Sequence, residues 1–247
     1  MTILAVCGLK KEAKIAGGPG VIAVTGGGDA KALSERLDAL EGDIYGIISF
    51  GLAGALSPLL KPGDVVIAER IVTARHSLRA EAPLKEDLAF ELKPKKATSL
   101  DEQWRCDNVW RVALAARIPN AHQGVIAGSD AILEDADAKA ALFANSGGAL
   151  AVDMESHIAA RFAAWRRVPL AVLRVISDAA HHNLPHAALV AMNPDGSVAK
   201  GRVFVSMLRR PWQLPGLIRT GRGSGKAFKQ LLRCRNLCGV GLAGPDR

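Results

Sequence analysis

No stretch of the sequence approaches the ~18 uninterrupted apolar residues that a bilayer-spanning helix needs, so a membrane-embedded protein is not expected. The opening Thr2-Ile3-Leu4-Ala5-Val6-Cys7-Gly8 is too short for a secretory leader and has no basic segment before it, which predicts a cytoplasmic protein. Cysteine is scarce. Cys7, Cys106, Cys234 and Cys238 are too few and too scattered for a disulfide framework. Two thiols at 234 and 238 share a helical face without further ligands, and adjacent histidines such as His181 and His182 rarely converge on one ion, so no metal site is expected. Internal repeats and low-complexity tracts are also missing. With 49% apolar and 23% charged residues, the disordered and fibrous classes drop out.

Two glycine-rich stretches lack the parts that would make them nucleotide loops. In Thr25-Gly26-Gly27-Gly28-Asp29 the sixth position of a dinucleotide fingerprint is Lys31 rather than glycine. In Gly221-Arg222-Gly223-Ser224-Gly225-Lys226 the spacing is one residue short of a phosphate loop, Ala227 replaces the hydroxyl that would meet magnesium, and no strand precedes it. No cofactor is therefore expected. Acidic residues are nearly absent from positions 200–247, where 11 Lys and Arg face only Asp246. The first 199 residues carry 21 basic and 23 acidic side chains, so the chain's excess positive charge lies in its last fifth. Such a segment seeks a polyanion, either nucleic acid or an anionic membrane surface. The tail's few aromatics, Trp212 and Phe228, and the lack of a recognition motif argue against nucleic acid.

What is present is an alternation of short β-rich runs with helix-like segments, the pattern of an α/β sheet covered by helices. Its 247 residues suffice for one large domain. Strands are predicted at Ile3–Cys7, Val21–Thr25, Ile44–Phe50, Asp64–Val72, His122–Ala127 and Leu170–Ile176. Helices are predicted at Asp29–Leu40, with Asp29 as cap, at Asp137–Asn145, and at Glu155–Arg167, where Ile158, Ala159, Phe162 and Trp165 form an apolar stripe. A boundary near Ala199 divides a catalytic domain, 1–199, from a basic C-terminal extension, 200–247. In that extension Arg219, Arg222, Lys226, Lys229 and Arg233 would share one helical face, although Gly221, Gly223 and Gly225 weaken a helix there.

Three carboxylates fall where strands end or helices begin, positions that favour function. Glu12 follows the first strand, Glu155 lies in Val152-Asp153-Met154-Glu155-Ser156-His157, and Asp178 closes Leu173-Arg174-Val175-Ile176-Ser177-Asp178. Taken singly, each is equally a helix cap or a solvated acid.

Their setting resembles the purine nucleoside phosphorylase and nucleosidase superfamily, in particular its methylthioadenosine/adenosylhomocysteine nucleosidase branch. Six segments occur in that family's order: Gly8-Leu9-Lys10-Lys11-Glu12; Thr25-Gly26-Gly27-Gly28; Gly51-Leu52-Ala53-Gly54-Ala55-Leu56 with Leu60-Lys61-Pro62-Gly63-Asp64-Val65-Val66; Gly128-Ser129-Asp130-Ala131-Ile132; Val152-Asp153-Met154-Glu155; and Ser177-Asp178. The resemblance implies a single domain of the nucleoside phosphorylase type, with a mixed twisted sheet flanked by helices, assembling as a homo-oligomer. It implies that Asp178 protonates the purine at N7, oriented by Ser177. Glu155 would accept bonds from the ribose hydroxyls, Met154 would pack on the sugar, and Glu12 would bind or activate water. Ile132, the Leu133 backbone, Ala53 and Gly54 would wall the purine nucleoside. The chemistry wants such groups, because breaking an N-glycosidic bond leaves positive charge on the sugar and drives electrons onto the base.

Two positions depart from the pattern. Where phosphorylases of the superfamily carry an Arg and a Ser that hold phosphate, this chain has Ser49 and Leu52. Water is therefore the expected nucleophile, with phosphate as alternative co-substrate if Lys10, Lys11 or Arg75 rebuild an anion site. Further on, Ala187–Ser197 and Leu208-Arg209-Arg210-Pro211-Trp212-Gln213-Leu214-Pro215 resemble the hopanoid-associated members, which remove adenine from adenosylhopane. That resemblance implies a lipid-linked substrate and a basic tail on the inner face of the membrane. The rival readings are a phosphorolytic enzyme on a soluble nucleoside, a nucleic-acid-binding module, and a non-catalytic nucleoside binder.

Overall fold

The computed structural model describes residues 2–74, 100–189 and 211–245, with 193, 195–197, 199, 201, 203 and 206. Arg75, Met192, Pro194, Leu208, Arg209, Arg210 and Arg247 lie outside the described residues. Among the described residues eight strands form: β1 (Thr2–Cys7), β2 (Val21–Thr25), β3 (Ile44–Ala55), β4 (Val65–Ala74), β5 (Leu100–Arg105), β6 (His122–Gly128), β7 (Ala151–Asp153) and β8 (Leu170–Asp178). The sheet is mixed. β1 runs parallel to β2 and β3, and β3 is parallel to β8 but antiparallel to β7. β4 is parallel to β6 and antiparallel to β8, while β6 joins β7 in parallel. Followed in turn, the pairings β3–β8–β4–β6–β7–β3 close a ring, so the sheet curls on itself at the end where the glycine-rich signature lies.

Alternation along β3 and β8 sends side chains to two opposite cores, as a period of two requires. Ile48, Phe50, Ala171, Leu173 and Val175 face one cluster, shared with Ala16, Trp110, Leu114 and Leu231. Ile47, Ala53, Leu170, Val172 and Ile176 face the other, with Leu33, Leu37, Ile158 and Phe162. Helices α1 (Lys10–Ala16) and α3 (Asn108–Arg117) therefore cover the first face, and α2 (Ala30–Asp38) and α5 (Ser156–Arg166) the second. Asp29 caps α2 by accepting from the Ala32 N–H at 2.9 Å. In α4 (Ala136–Asn145) the cap is Asp135, accepting from Ala138 N–H at 2.7 Å. A short helix, α6 (His186–Leu189), follows β8.

Within the basic extension one 25-residue helix forms, α7 (Leu214–Cys238), in spite of its four glycines. Gly223, Ala227, Leu231, Cys234 and Cys238 are buried at three- and four-residue steps, while Arg219, Arg222, Lys226, Lys229 and Arg233 are exposed. Burial of that stripe outweighs the ~1 kcal/mol that each glycine costs a helix, since one buried leucine alone contributes about 1.5–3 kcal/mol. Gly223 has a direct reason to lack a side chain: a Cβ there would sit 2.3 Å from the Ser177 carbonyl oxygen. Beyond α7, the Leu242 carbonyl accepts a bond from the buried Trp110 Nε1 at 2.9 Å. Segment 214–243 is thus part of the main core. Among the described residues, no helix is long and apolar enough to cross a membrane.

Candidate active site

The C-terminal ends of β1, β3 and β8 meet the start of α5 around a cavity of about 250 Å³. Glu12, Ala53, Gly54, Ile132, Leu133, Met154, Glu155, Ser177 and Asp178, the nine residues that the sequence singles out, all line it. They arrive from five separate segments.

Glu12 sits in the first turn of α1 and is buried. Its Oε2 accepts from the Gly8 and Leu9 N–H groups, both at 2.8 Å, and its Oε1 from the Leu52 N–H at 2.8 Å. Burial raises its pKa above the usual carboxylate range, against the opposing pull of Arg174 and these three N–H donors. Glu155 caps the entry to α5 and is pushed up to about 8, chiefly by burial and further by Asp153 and Glu12, with Arg174 opposing. These two neighbouring carboxyl groups, both raised by burial, form one end of the cavity.

Beneath them lies Arg174, fully buried in β8. Its Nη2 contacts Glu155 Oε2 at 3.2 Å and donates to Ser49 Oγ at 2.5 Å; its Nη1 donates to the Leu52 carbonyl at 3.2 Å. Its Nε lies 2.9 Å from Asp153 Oδ2, an ion-pair contact rather than an aligned hydrogen bond. Asp153 in turn accepts from the N–H groups of Glu155 at 3.0 Å and Ser156 at 2.7 Å, which fixes the start of α5. Gly51 permits this stack, because a Cβ there would lie 2.7 Å from Arg174 Nη1 and 2.8 Å from the Glu12 carboxylate. Ser49 therefore lies behind the cavity wall as a partner of Arg174, whereas Leu52 lines the cavity itself.

Asp178 forms the opposite end. Ser177 Oγ donates to Asp178 Oδ1 at 2.7 Å, and Lys139 Nζ donates to Asp178 Oδ2 at 2.6 Å. Ile132 and Leu133, on the loop after β6, provide apolar walls, and that loop is tied by Ser129 Oγ donating to the Ala131 carbonyl at 2.7 Å. A second cavity, about 530 Å³, shares Ser177 and Asp178 with the first and opens along α7 beside Arg219, Arg222 and Lys226.

Lys10 and Lys11 do not line the cavity. Lys10 pairs with Asp195 at 2.7 Å, and Lys11 stands over the Phe228 ring at 4.0 Å. Lys139 is the cationic side chain among the described lining residues. Among the described residues no group of three His, Cys, Asp or Glu side chains is placed to hold a metal ion.

Sequence reasoning missed Lys139, Arg174 and Asp153 as site residues. An arginine inside the otherwise apolar run Leu170–Ile176 was the available signal for one of them, because a charge in a strand buried on both faces needs partners. Nothing in the Ala-rich segment 136–145 says that its lysine points inward.

Solved structures share the fold. A 5′-methylthioadenosine/S-adenosylhomocysteine nucleosidase of Streptococcus pneumoniae with a transition-state inhibitor is 19% identical, with a TM-score of 0.59 over 95% of this chain and 99% of that one. A Helicobacter pylori nucleosidase, an aspartate-to-asparagine mutant with 5′-methylthioadenosine in its active site, is 19% identical with a TM-score of 0.58, over 95% and 98% of the two chains. The Neisseria meningitidis enzyme in complex with methylthio-immucillin-A is 17% identical with a TM-score of 0.58, over 94% and 97%. Residues 11–209, most of the chain and every segment of the cavity except Gly8, Leu9 and Ser224, match the phosphorylase superfamily, and the chain belongs to that family.

Proposed function

We propose that this protein hydrolyses the N-glycosidic bond of a 5′-substituted adenosine and releases adenine. The observation that carries the reading is one cavity with a carboxylate pair, Glu12 and Glu155, at one end and Asp178 at the other. Glu155 accepts hydrogen bonds from the ribose hydroxyls and orders the ring while positive charge grows at C1′. Asp178 hands a proton to N7 as the C1′–N9 electrons pass to the purine, and the base leaves neutral. Glu12 takes the proton of the attacking water, whose oxygen bonds to C1′. Ile132 and Leu133 hold the base, and Met154 packs on the sugar.

Water is favoured over phosphate by charge. The end of the cavity where the nucleophile enters is lined by carboxylates, and Lys139, the described lining cation, is bound to Asp178 at the far end. An incoming phosphate would find no unpaired cation among the described lining residues.

The substrate we assign is adenosylhopane. At about 250 Å³ the cavity lies just below the usual range of ligand sites, ~300–1,000 Å³, and takes a nucleoside but no triterpenoid. A lipid substituent on the 5′ carbon stays outside, in the membrane. Helix α7 and its flanks expose Trp212, Leu214, Ile218, Leu232, Leu237 and Val240 among Arg219, Arg222, Lys226, Lys229 and Arg233. Mixed basic and apolar exposure of this kind suits an anionic membrane surface, where each basic group contributes about 1 kcal/mol. The test is incubation of purified protein with adenosylhopane in vesicles and with soluble methylthioadenosine, each with and without phosphate, reading free adenine and the sugar product. Release from adenosylhopane without phosphate supports the assignment. Turnover of methylthioadenosine alone refutes the lipid substrate, and dependence on phosphate with a sugar 1-phosphate product refutes hydrolysis.

A further inference from the structure

Lys139 is the most deeply buried charge at the purine end, 1% exposed, on a helix built mostly of alanine and apolar residues. Its Nζ has three hydrogen-bond partners: Asp178 Oδ2 at 2.6 Å, the His182 carbonyl at 2.9 Å and the Ala179 carbonyl at 3.3 Å. An ammonium has three N–H donors and no acceptor, so the site matches the charged form in full. The other oxygen of Asp178 accepts from Ser177 Oγ. Both oxygens thus face donors, the arrangement that stabilises a carboxylate over a carboxylic acid.

We propose that Lys139 is a positioning residue of the reaction, stabilising the anion that Asp178 becomes as it gives its proton to the purine. The inference rests on the acid role given to Asp178 above. The proton leaves Asp178 Oδ for N7, the C1′–N9 bond breaks, and negative charge appears on a carboxyl group 2.6 Å from a buried ammonium, which lowers the barrier. Removing Lys139 therefore weakens the acid's drive to donate.

Other groups stand near Asp178. His182 stands on the loop that follows β8, and its pKa is lowered by burial first, then by His181, Arg219 and Lys139. Arg219, Arg222 and Lys226 reach the second cavity from α7. Among the described residues, Lys139 is the cation bonded directly to the Asp178 carboxyl.

The experiment measures kcat and KM separately for adenine release by wild type, K139Q, K139M and K139R, with thermal melts to establish folding. In K139Q and K139M kcat falls about tenfold, short of the 10²–10⁴ that removal of a general acid costs, while KM stays within about twofold. K139R recovers most of the wild-type kcat, because it keeps the charge. A tether that merely holds α4 to the 179–182 loop would raise KM as well, by displacing that loop. An unchanged kcat in folded K139Q or K139M, a loss carried by KM, or a folded K139R as slow as the neutral variants overturns the inference. Asp178 borders both cavities, where water can reach it, so the neutral variants are expected to fold; if they do not, K139R still decides. Failure of wild type to release purine from any nucleoside overturns the functional reading as well, whereas normal wild-type turnover with an unchanged kcat in the neutral variants overturns the role of Lys139 alone.

Discussion

The same substitution, Gly→Ala, made at three places in α7 should give opposite results. At Gly221 and Gly225 nothing lies within 4 Å of the added Cβ. Each alanine there gains about 0.8–1.0 kcal/mol of helix propensity, which for a chain of this size raises Tm by roughly 2–4 °C. At Gly223 the Cβ would stand 2.3 Å from the Ser177 carbonyl oxygen and 3.5 Å from Pro62. That oxygen is backbone, so it cannot swing aside as a side chain would, and relief requires α7 and the end of β8 to separate by about 1 Å. Overpacking of this kind costs about 3 kcal/mol, the upper part of the usual range. The propensity gain of ~1 kcal/mol does not offset it, leaving a net loss of about 2 kcal/mol and a Tm lower by roughly 4–8 °C. Displacement of Ser177 and Asp178 by that amount should also reduce turnover about 10²-fold, the cost of a 1 Å misplacement at reacting groups. Urea and thermal unfolding of the three variants, with adenine release measured on each, is the assay. A G223A protein as stable and active as G225A would refute the close packing of α7 on the site.

Asp178→Asn should bind nucleoside normally yet lose roughly two to four decades of turnover, read by single-turnover adenine release beside inhibitor binding; near-normal rates would remove Asp178 from the mechanism. Glu155, raised in the folded state to about 8, binds more protons folded than unfolded between about pH 4.5 and 8. Its contribution to stability is therefore present at low pH and lost as pH rises through that window, so the urea midpoint should fall from pH 5 to 8 and the fall should flatten in Glu155→Gln. Reversal of charge in the double variant K229E/R233E, two exposed positions on α7 that line neither cavity, should sharply reduce sedimentation with anionic vesicles while leaving soluble-substrate turnover intact. Unchanged sedimentation would refute the membrane role of the helix.

Much of the sheet was legible because its strands are apolar runs bounded by turns. Helices α2, α4 and α5 were legible to within two residues at each end because aspartates and apolar spacing mark them. What was not legible has physical reasons. The strand expected at Ile44–Phe50 continues to Ala55, since Gly51-Leu52-Ala53-Gly54 looks like a loop in isolation but pairs residue for residue with β8 until a register shift after Ala53. Strand β5, Leu-Asp-Glu-Gln-Trp-Arg, has no apolar alternation and is held by its partner β4, and β7 has three residues, too few for any period. For α7 the glycines argued against a helix, and the deciding term was burial against β8, which no local pattern contains. The carboxylates of the site were found because they stand where strands end or helices begin, in segments that resemble the superfamily. Lys139 was not, because its partner lies 39 residues away and only the fold brings the two together.

The most direct test of the central claim is turnover of a 5′-substituted adenosine in ¹⁸O-labelled water without phosphate, with mass analysis of both products. The account predicts free adenine, and a sugar carrying one ¹⁸O at C1′. Adenine release only when phosphate is added, with the sugar recovered as its 1-phosphate and free of label, would contradict it.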